Sequence, residues 1–147
     1  MKLVSFTFLV TTLTVVAGAY LPACAQCVKY EPSVVTLTGR LSSHIFPGPP
    51  NYESIKRGDQ KERAIILTIA APVCVDGGSD AINEPENNIR DLQLVIRKPA
   101  DWKTVERRLG KRVTVVGTLF HAHTGHHRTK VLVDVTDIRS GTWQFPL

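Results

Sequence analysis

The sequence has only one long uncharged apolar stretch, and it has neither an internal repeat nor a low-complexity tract. That stretch covers residues 3–21, and no later segment approaches the roughly 20 apolar residues that a membrane-spanning helix needs. The chain of 147 residues is 43% hydrophobic, which suits one core but is too short for two ordinary domains. We therefore expect one domain, either soluble or tethered by a lipid.

The N-terminus has the layout of a secretory signal peptide. Lys2 precedes the apolar stretch, and Pro22-Ala23-Cys24-Ala25-Gln26 follows it, as small residues do at a cleavage site. We predict a cleaved signal peptide over residues 1–25 and a mature domain over residues 26–147, located in the periplasm or secreted. Two alternatives stay open. The apolar stretch could be a retained anchor, or Leu21-Pro22-Ala23-Cys24 could be a lipobox, with Cys24 lipidated in an outer-membrane lipoprotein.

Cysteine is scarce, with three in the whole chain. Cys24 is removed or acylated under either cleavage, which leaves Cys27 and Cys74. An even pair in an oxidising compartment predicts a disulfide bond. The pair lacks the Cys-x-x-Cys spacing of redox and metal sites. The expected bridge closes a loop of nearly fifty residues and contributes about 3 to 4 kcal/mol in the chain-entropy model.

The charge of the mature domain is mildly basic. Without Lys2, it carries 17 basic and 13 acidic residues. A basic domain attracts anionic partners, which in an envelope are anionic glycans, lipid head groups or acidic proteins. Nucleic acid is not an expected partner of an exported chain.

Alternating hydrophobicity predicts a mostly β domain with one short helix. Segments rich in β-branched residues alternate with loops that contain Pro, Gly, Asn and Asp, and the segment 101–109 has apolar residues at helical spacing, ended by Gly110. A long loop or a decorated hairpin is expected over residues 42–63. The order of elements matches a five-stranded OB-like barrel, and another small barrel or sandwich is the alternative. The predicted strands are 34–41, 64–70, 92–96, 113–120 and 130–138.

All five histidines lie near the ends of the first and fourth predicted strands. Residues two apart on a strand face the same way, so His121 and His123 are expected to present two imidazoles together. In an OB-like barrel the loops after strands one and four flank the ligand face. We therefore predict one ligand-binding site at this end, formed by His44, Tyr52, His121, His123, His126, His127 and Arg128.

Three interpretations compete for this cluster. The first is a recognition surface for a polar or anionic envelope ligand or a protein. The second is a zinc or copper site made by His121, His123 and His126, since imidazole is a common ligand of both metals. The spacing matches no recognised zinc motif, and no carboxylate within it orients the rings. The third is a solvated hairpin without a function.

An enzymatic role finds no support in the sequence. No motif links a Ser or Asp to one of the histidines as a nucleophile and base would require. We predict neither catalytic residues nor a cofactor, apart from the possible zinc or copper. A small, exported, disulfide-bonded protein also fits an inhibitor or immunity-type protein of an envelope enzyme. The oligomeric state is not predicted.

Two segments resemble a known family. They are residues 46–55, FPGPPNYESI, and residues 109–127, LGKRVTVVGTLFHAHTGHH. Both are similar to the domain-of-unknown-function 4431 family, bacterial proteins of the cell envelope without an established activity. The likeness covers about residues 27–138. It implies export but no mechanism, and Arg128 stands where similar proteins are expected to have a further histidine.

Overall fold

The computed structural model describes residues 27–141. The predicted signal peptide and Cys24 lie outside this range. Among the described residues, no helix is long and apolar enough to cross a membrane. In chain order the elements are strand β1 (Val28–Lys29), strand β2 (Val34–Pro47), a short 3-10 turn (Ile55–Arg57), strand β3 (Lys61–Asp76), strand β4 (Glu86–Val95), helix α1 (Pro99–Arg108), strand β5 (Arg112–His121) and strand β6 (Val131–Ser140).

The six strands form one sheet, and five of them close into a ring of hydrogen-bonded pairs. The order is β1-β3-β2-β5-β6-β4, and β3 also pairs with β4. The β4–β6 and β1–β3 pairings are parallel, and the others are antiparallel. Pairing around the ring leaves no free edge among the five long strands. The predicted class, mostly β with one helix, is confirmed.

The core lies inside the ring and follows from alternation along the strands. In β5, Val113, Val115 and Leu119 are fully buried while their neighbours are partly exposed. Helix α1 adds Val105 to the same core. Gly117 is required where β5 crosses β6, because a Cβ there would lie 2.2 Å from the backbone oxygen of Asp134.

Three strands are clearly longer than predicted. β2 continues past residue 41 to Pro47, so only residues 48–60 form the loop of what is a decorated hairpin. β4 begins at Glu86, six residues before its predicted start. β3 begins at Lys61 and continues past its predicted end at residue 70, through Pro72, to Asp76. The β3–β4 register shifts between Thr68 and Val73, and a proline is tolerated at such an irregularity because no ladder bond is lost there. The two-residue strand β1 was not predicted.

The predicted disulfide between Cys27 and Cys74 is confirmed, with the two Cα atoms 4.7 Å apart. It lies directly beside the β1–β3 pairing, in which Val28 is opposite Val75. The covalent bond and this short ladder together attach the beginning of the described chain to β3.

Candidate functional site

The loop between β2 and β3 meets the turn between β5 and β6, as the sequence suggested. The Tyr52 hydroxyl oxygen lies 3.0 Å from Nε2 of His126, and the two rings pack edge to face with centroids 5.2 Å apart. Gly125 lies close against the Tyr52 ring, where a Cβ would be 3.1 Å from the ring. Two segments separated by about seventy residues therefore form one surface.

Asp59 fixes the conformation of the first of these loops. Its buried carboxylate accepts backbone N–H bonds from Asn51, Glu53 and Ser54 at 2.7 to 3.0 Å. These bonds, led by the one from Ser54, lower the pKa of Asp59. They help to hold Tyr52 in the left-handed region, with φ of 59°. Nothing in the sequence distinguishes Asp59, because it lies among other charged residues between positions 56 and 63.

Arg128 contacts residues of both loops and links them. Its guanidinium carbon lies 5.2 Å from the centroid of the Phe46 ring and 5.6 Å from that of Tyr52. It donates hydrogen bonds of 2.8 Å to the Pro47 carbonyl and to Glu62. Its side chain is only 9% exposed. Arg128 therefore positions the loops, and most of its surface is turned away from solvent.

Glu62 connects Arg128 to the histidine turn. One carboxylate oxygen accepts from Arg128, and the other accepts from Nδ1 of His126 at 2.7 Å. The role of Glu62 could not be predicted from the sequence, since it lies more than sixty residues from both partners and belongs to a charged segment. A carboxylate does orient one of the imidazoles, but it comes from β3 and not from the histidine motif.

A groove of about 350 Å³ lies beside this junction, on the outer face of β2, β3 and β4. Ile66, almost fully buried on that face, lines it together with polar side chains. Thr68 donates a 2.6 Å hydrogen bond to Asp91, and His44 lies 2.9 Å from the Ser42 hydroxyl. The groove is lined by His44, Phe46, Ile66, Thr68, Asp91, Arg128 and Thr129.

His121 belongs to a separate network. Its Nε2 lies 3.1 Å from a Glu86 carboxylate oxygen, and Lys130 donates to the other oxygen at 3.0 Å. The hydrogen bonds from Lys130 and then His121 lower the pKa of Glu86. Burial, and then the nearby carboxylates of Glu86 and Glu84, raise the pKa of Tyr30 to about 12.

His123 and His127 form a third group. Their rings pack edge to face with centroids 4.8 Å apart, and Phe120 packs against both. The backbone N–H of His123 donates to Nδ1 of His127 at 3.0 Å. Burial, and then the charges of His123 and His126, lower the pKa of His127. His127 is therefore held as a neutral ring that accepts a hydrogen bond.

The three predicted metal ligands, His121, His123 and His126, therefore belong to three different groups of contacting side chains. β5 ends at His121, so the alternation that predicted a shared face for His121 and His123 no longer applies at His123. His126 pairs instead with Glu62 and Tyr52. Among residues 27–141, no group of three or more His, Cys, Asp or Glu side chains is arranged to hold a metal ion. Zinc or copper binding stays a prediction that these contacts do not favour.

Acidification is expected to destabilise the fold through His127. Its lowered pKa means that below about pH 6.5 the unfolded chain binds a proton more readily than the folded one. This contribution to stability is complete above about pH 6.5 and is lost as the pH falls through the folded pKa. His127→Asn keeps an acceptor for His123 but does not titrate, so the free energy of unfolding should fall less between pH 7 and pH 5 than in the wild type.

Urea unfolding at several pH values measures this difference. His44→Asn, which makes the same substitution at an exposed position outside the turn, is the matched control. Equal slopes for the wild type and His127→Asn would contradict the prediction.

Comparison with known families finds a match for the part of the chain that forms the C-terminal half of this surface. Residues 91–139 match the family model of DUF4431, a domain of unknown function. This confirms the resemblance for that part of the chain. The DUF4431 match begins in β4 and covers α1, β5 and nearly all of β6. No curated protein and no solved structure matches the chain.

The DUF4431 segment contains only half of the junction. It includes Arg128 and the four histidines of the turn, while Tyr52 and Glu62 lie N-terminal to it. The contacts of Tyr52 with His126 and of Glu62 with Arg128 therefore join the matched segment to the β2–β3 hairpin. The candidate site depends on both parts of the chain.

Proposed function

We propose that the protein is an exported binding module of OB-like fold that holds a glycan of the cell envelope in the groove of the β2–β3–β4 face. The strand ring supports the fold. With β2 to β6 counted as strands one to five, the pairing order is one-two-three-five-four and back to one, and the helix lies between the third and fourth strands. OB folds bind oligosaccharides and oligonucleotides on the face of strands two and three, between the loops one-two and four-five.

The observation that carries the proposal is the position and lining of the groove. It lies on that same face, next to the junction of those two loops. Its lining combines the rings of Phe46 and His44 with the polar groups of Thr68, Asp91 and Thr129. A sugar ring offers an apolar face of C–H groups and a rim of hydroxyls, which such a mixture complements.

Export is the second part of the proposal. The disulfide between Cys27 and Cys74 supports it, because such bonds persist in oxidising compartments outside the cytoplasm. Cleavage before Gln26 and lipidation of Cys24 are the two forms of the mature protein that we consider. A protein ligand, such as an envelope enzyme to be inhibited, is the alternative occupant of the surface.

A glycan array of neutral and acidic oligosaccharides tests the function. We expect the wild type to retain a defined set of glycans, and His44→Ala/Phe46→Leu to bind them about tenfold more weakly, because one lost contact of about 1.4 kcal/mol corresponds to that factor. Ile45→Ala is the matched control. Ile45 is exposed on the same strand, but alternation turns it to the other face.

The control variant should bind as the wild type does. Unchanged binding by His44→Ala/Phe46→Leu would move the ligand away from this groove. If the array retained no glycan at all, the ligand class would be wrong, and a protein partner would become the leading hypothesis.

A further inference from the structure

A second groove, rich in arginine, continues from the first along the outer face of the sheet. It has a volume of about 390 Å³, and Thr68 lines both grooves. Arg40, Arg90 and Arg112 contribute its charged side chains, and none of the described residues that line it is acidic. The same face therefore has a mixed aromatic and polar end and a strongly basic end.

The arginines converge because of the strand register. Arg40 of β2 lies directly opposite Arg112 of β5 in the antiparallel pairing. Directly opposed residues of an antiparallel pair have neighbouring side chains, so the register brings these two cationic side chains together on the outer face of the sheet. An anionic ligand group between the two guanidinium groups would accept hydrogen bonds from both.

Arg90 approaches the groove from β4 in a fixed position. Its guanidinium donates a 2.8 Å hydrogen bond to the Ala70 carbonyl. Ala70 lies where the β3–β4 register breaks, between Thr68 and Val73, so this carbonyl is available to a side chain. The bond uses one of five guanidinium N–H groups, and it holds the cation over the groove.

We infer that the arginine groove binds the carboxylate or sulfate groups of an acidic glycan whose chain continues into the first groove. The inference rests on the proposed function and specifies its substrate class. Guanidinium groups pair with planar oxyanions through two parallel hydrogen bonds. Asp91, at the junction of the grooves, repels an anionic group there and keeps it on the arginine side. The mature domain, with 17 basic and 13 acidic residues, attracts such a chain.

A membrane surface is the less favoured partner of these arginines. Among residues 27–141, the exposed large hydrophobic residues that would insert into lipid are Val34, Ile45 and Ile82, and none of them lines this groove. The concave shape also suits a chain better than a flat surface. Anionic vesicles therefore enter the experiment as a contrary outcome.

Titration calorimetry with polygalacturonate, dextran sulfate and neutral dextran tests the inference. Arg40→Gln/Arg112→Gln should bind the acidic polymer at least about tenfold more weakly than the wild type, since the loss of even one charge-assisted hydrogen bond to the ligand weakens binding by about that factor. Lys103→Gln/Arg107→Gln removes the same charge from the exposed side of α1 and should stay within about twofold. Both arginines are exposed, so the melting temperature of the first variant should stay close to that of the wild type.

The outcomes separate this inference from the proposed function. A preference for polygalacturonate or for dextran sulfate identifies carboxylate or sulfate as the group bound, and either one supports the inference. Equal losses of affinity in the two charge variants would mean that overall charge alone explains the binding, and this result would overturn the inference. Binding of neutral glycans alone, of anionic phospholipid vesicles alone, or of neither acidic polymer would also overturn it. If His44→Ala/Phe46→Leu bound the acidic polymers as tightly as the wild type does, the arginine groove would be supported as a binding site and the first groove would be rejected.

Discussion

Replacing both cysteines, in Cys27→Ser/Cys74→Ser, is expected to lower the free energy of unfolding by about 4 kcal/mol. The bridge closes a loop with a sequence separation of 47 residues, and its loss frees the unfolded chain. In the folded state, β1 stays attached through its two-residue ladder with β3, at Val75 and Asp76, and through the packing of Val28 against the core. Denaturation in urea under oxidising conditions measures the change.

Reduction of the wild type provides the matched measurement. The reduced wild type and the double variant should unfold at the same urea concentration, because both lack the same constraint on the unfolded chain. A loss below about 1 kcal/mol in both would contradict the chain-entropy argument and would mean that residual structure already restricts the unfolded state.

β5 and the first half of β2 were predictable because their alternation reflects burial on one side only. Val113 and Val115 in β5, and Leu37 and Leu41 in β2, are buried, and their spacing is visible in the sequence. The second half of β2 was not predictable in this way. Residues 42–46 are partly or fully exposed, and what makes them a strand is their pairing with β3. Local sequence carries no signal of that partner.

The meeting of the two loops could be predicted, but the partners of each histidine could not. The loop positions follow from the order of strands, which alternation and turn residues reveal. The partition of the histidines depends on Glu62 and Glu86, which lie 64 residues from His126 and 35 residues from His121. Nothing local distinguishes these two carboxylates from other charged residues, so an apparently uniform histidine cluster divides into three groups.

The burial of Arg128 could not be predicted from the sequence. An arginine in a polar turn is normally exposed, and we expected Arg128 to contact the ligand directly. In the structure its guanidinium is packed between Phe46 and Tyr52 and is neutralised by Glu62. It lines the groove with only a small part of its surface. Its larger effect is to keep the two loops together, and Glu62 makes that possible.

Glu62→Gln is therefore expected to lower the free energy of unfolding by about 3 kcal/mol. Removing one partner of a largely buried ion pair leaves the other charge uncompensated, and Arg128 is 9% exposed beside a carboxylate that is 27% exposed. Gln has one acceptor oxygen where Glu has two, so Arg128 and His126 no longer each have an acceptor of their own. Urea unfolding measures the loss. Glu53→Gln is the control, because its pair with Arg57 is exposed at both ends, and surface pairs contribute little.

A double variant separates stability from positioning. Glu62→Gln/Arg128→Met removes both charges and keeps an apolar side chain between the rings, so it should regain much of the stability that Glu62→Gln loses. It still lacks the bond from Arg128 to the Pro47 carbonyl and the charge of the carboxylate that accepts from His126. Glycan affinity should therefore remain reduced in a stable protein. If affinity returned together with stability, the ion pair would only support the fold, and the groove would not need the loops to be held in this arrangement.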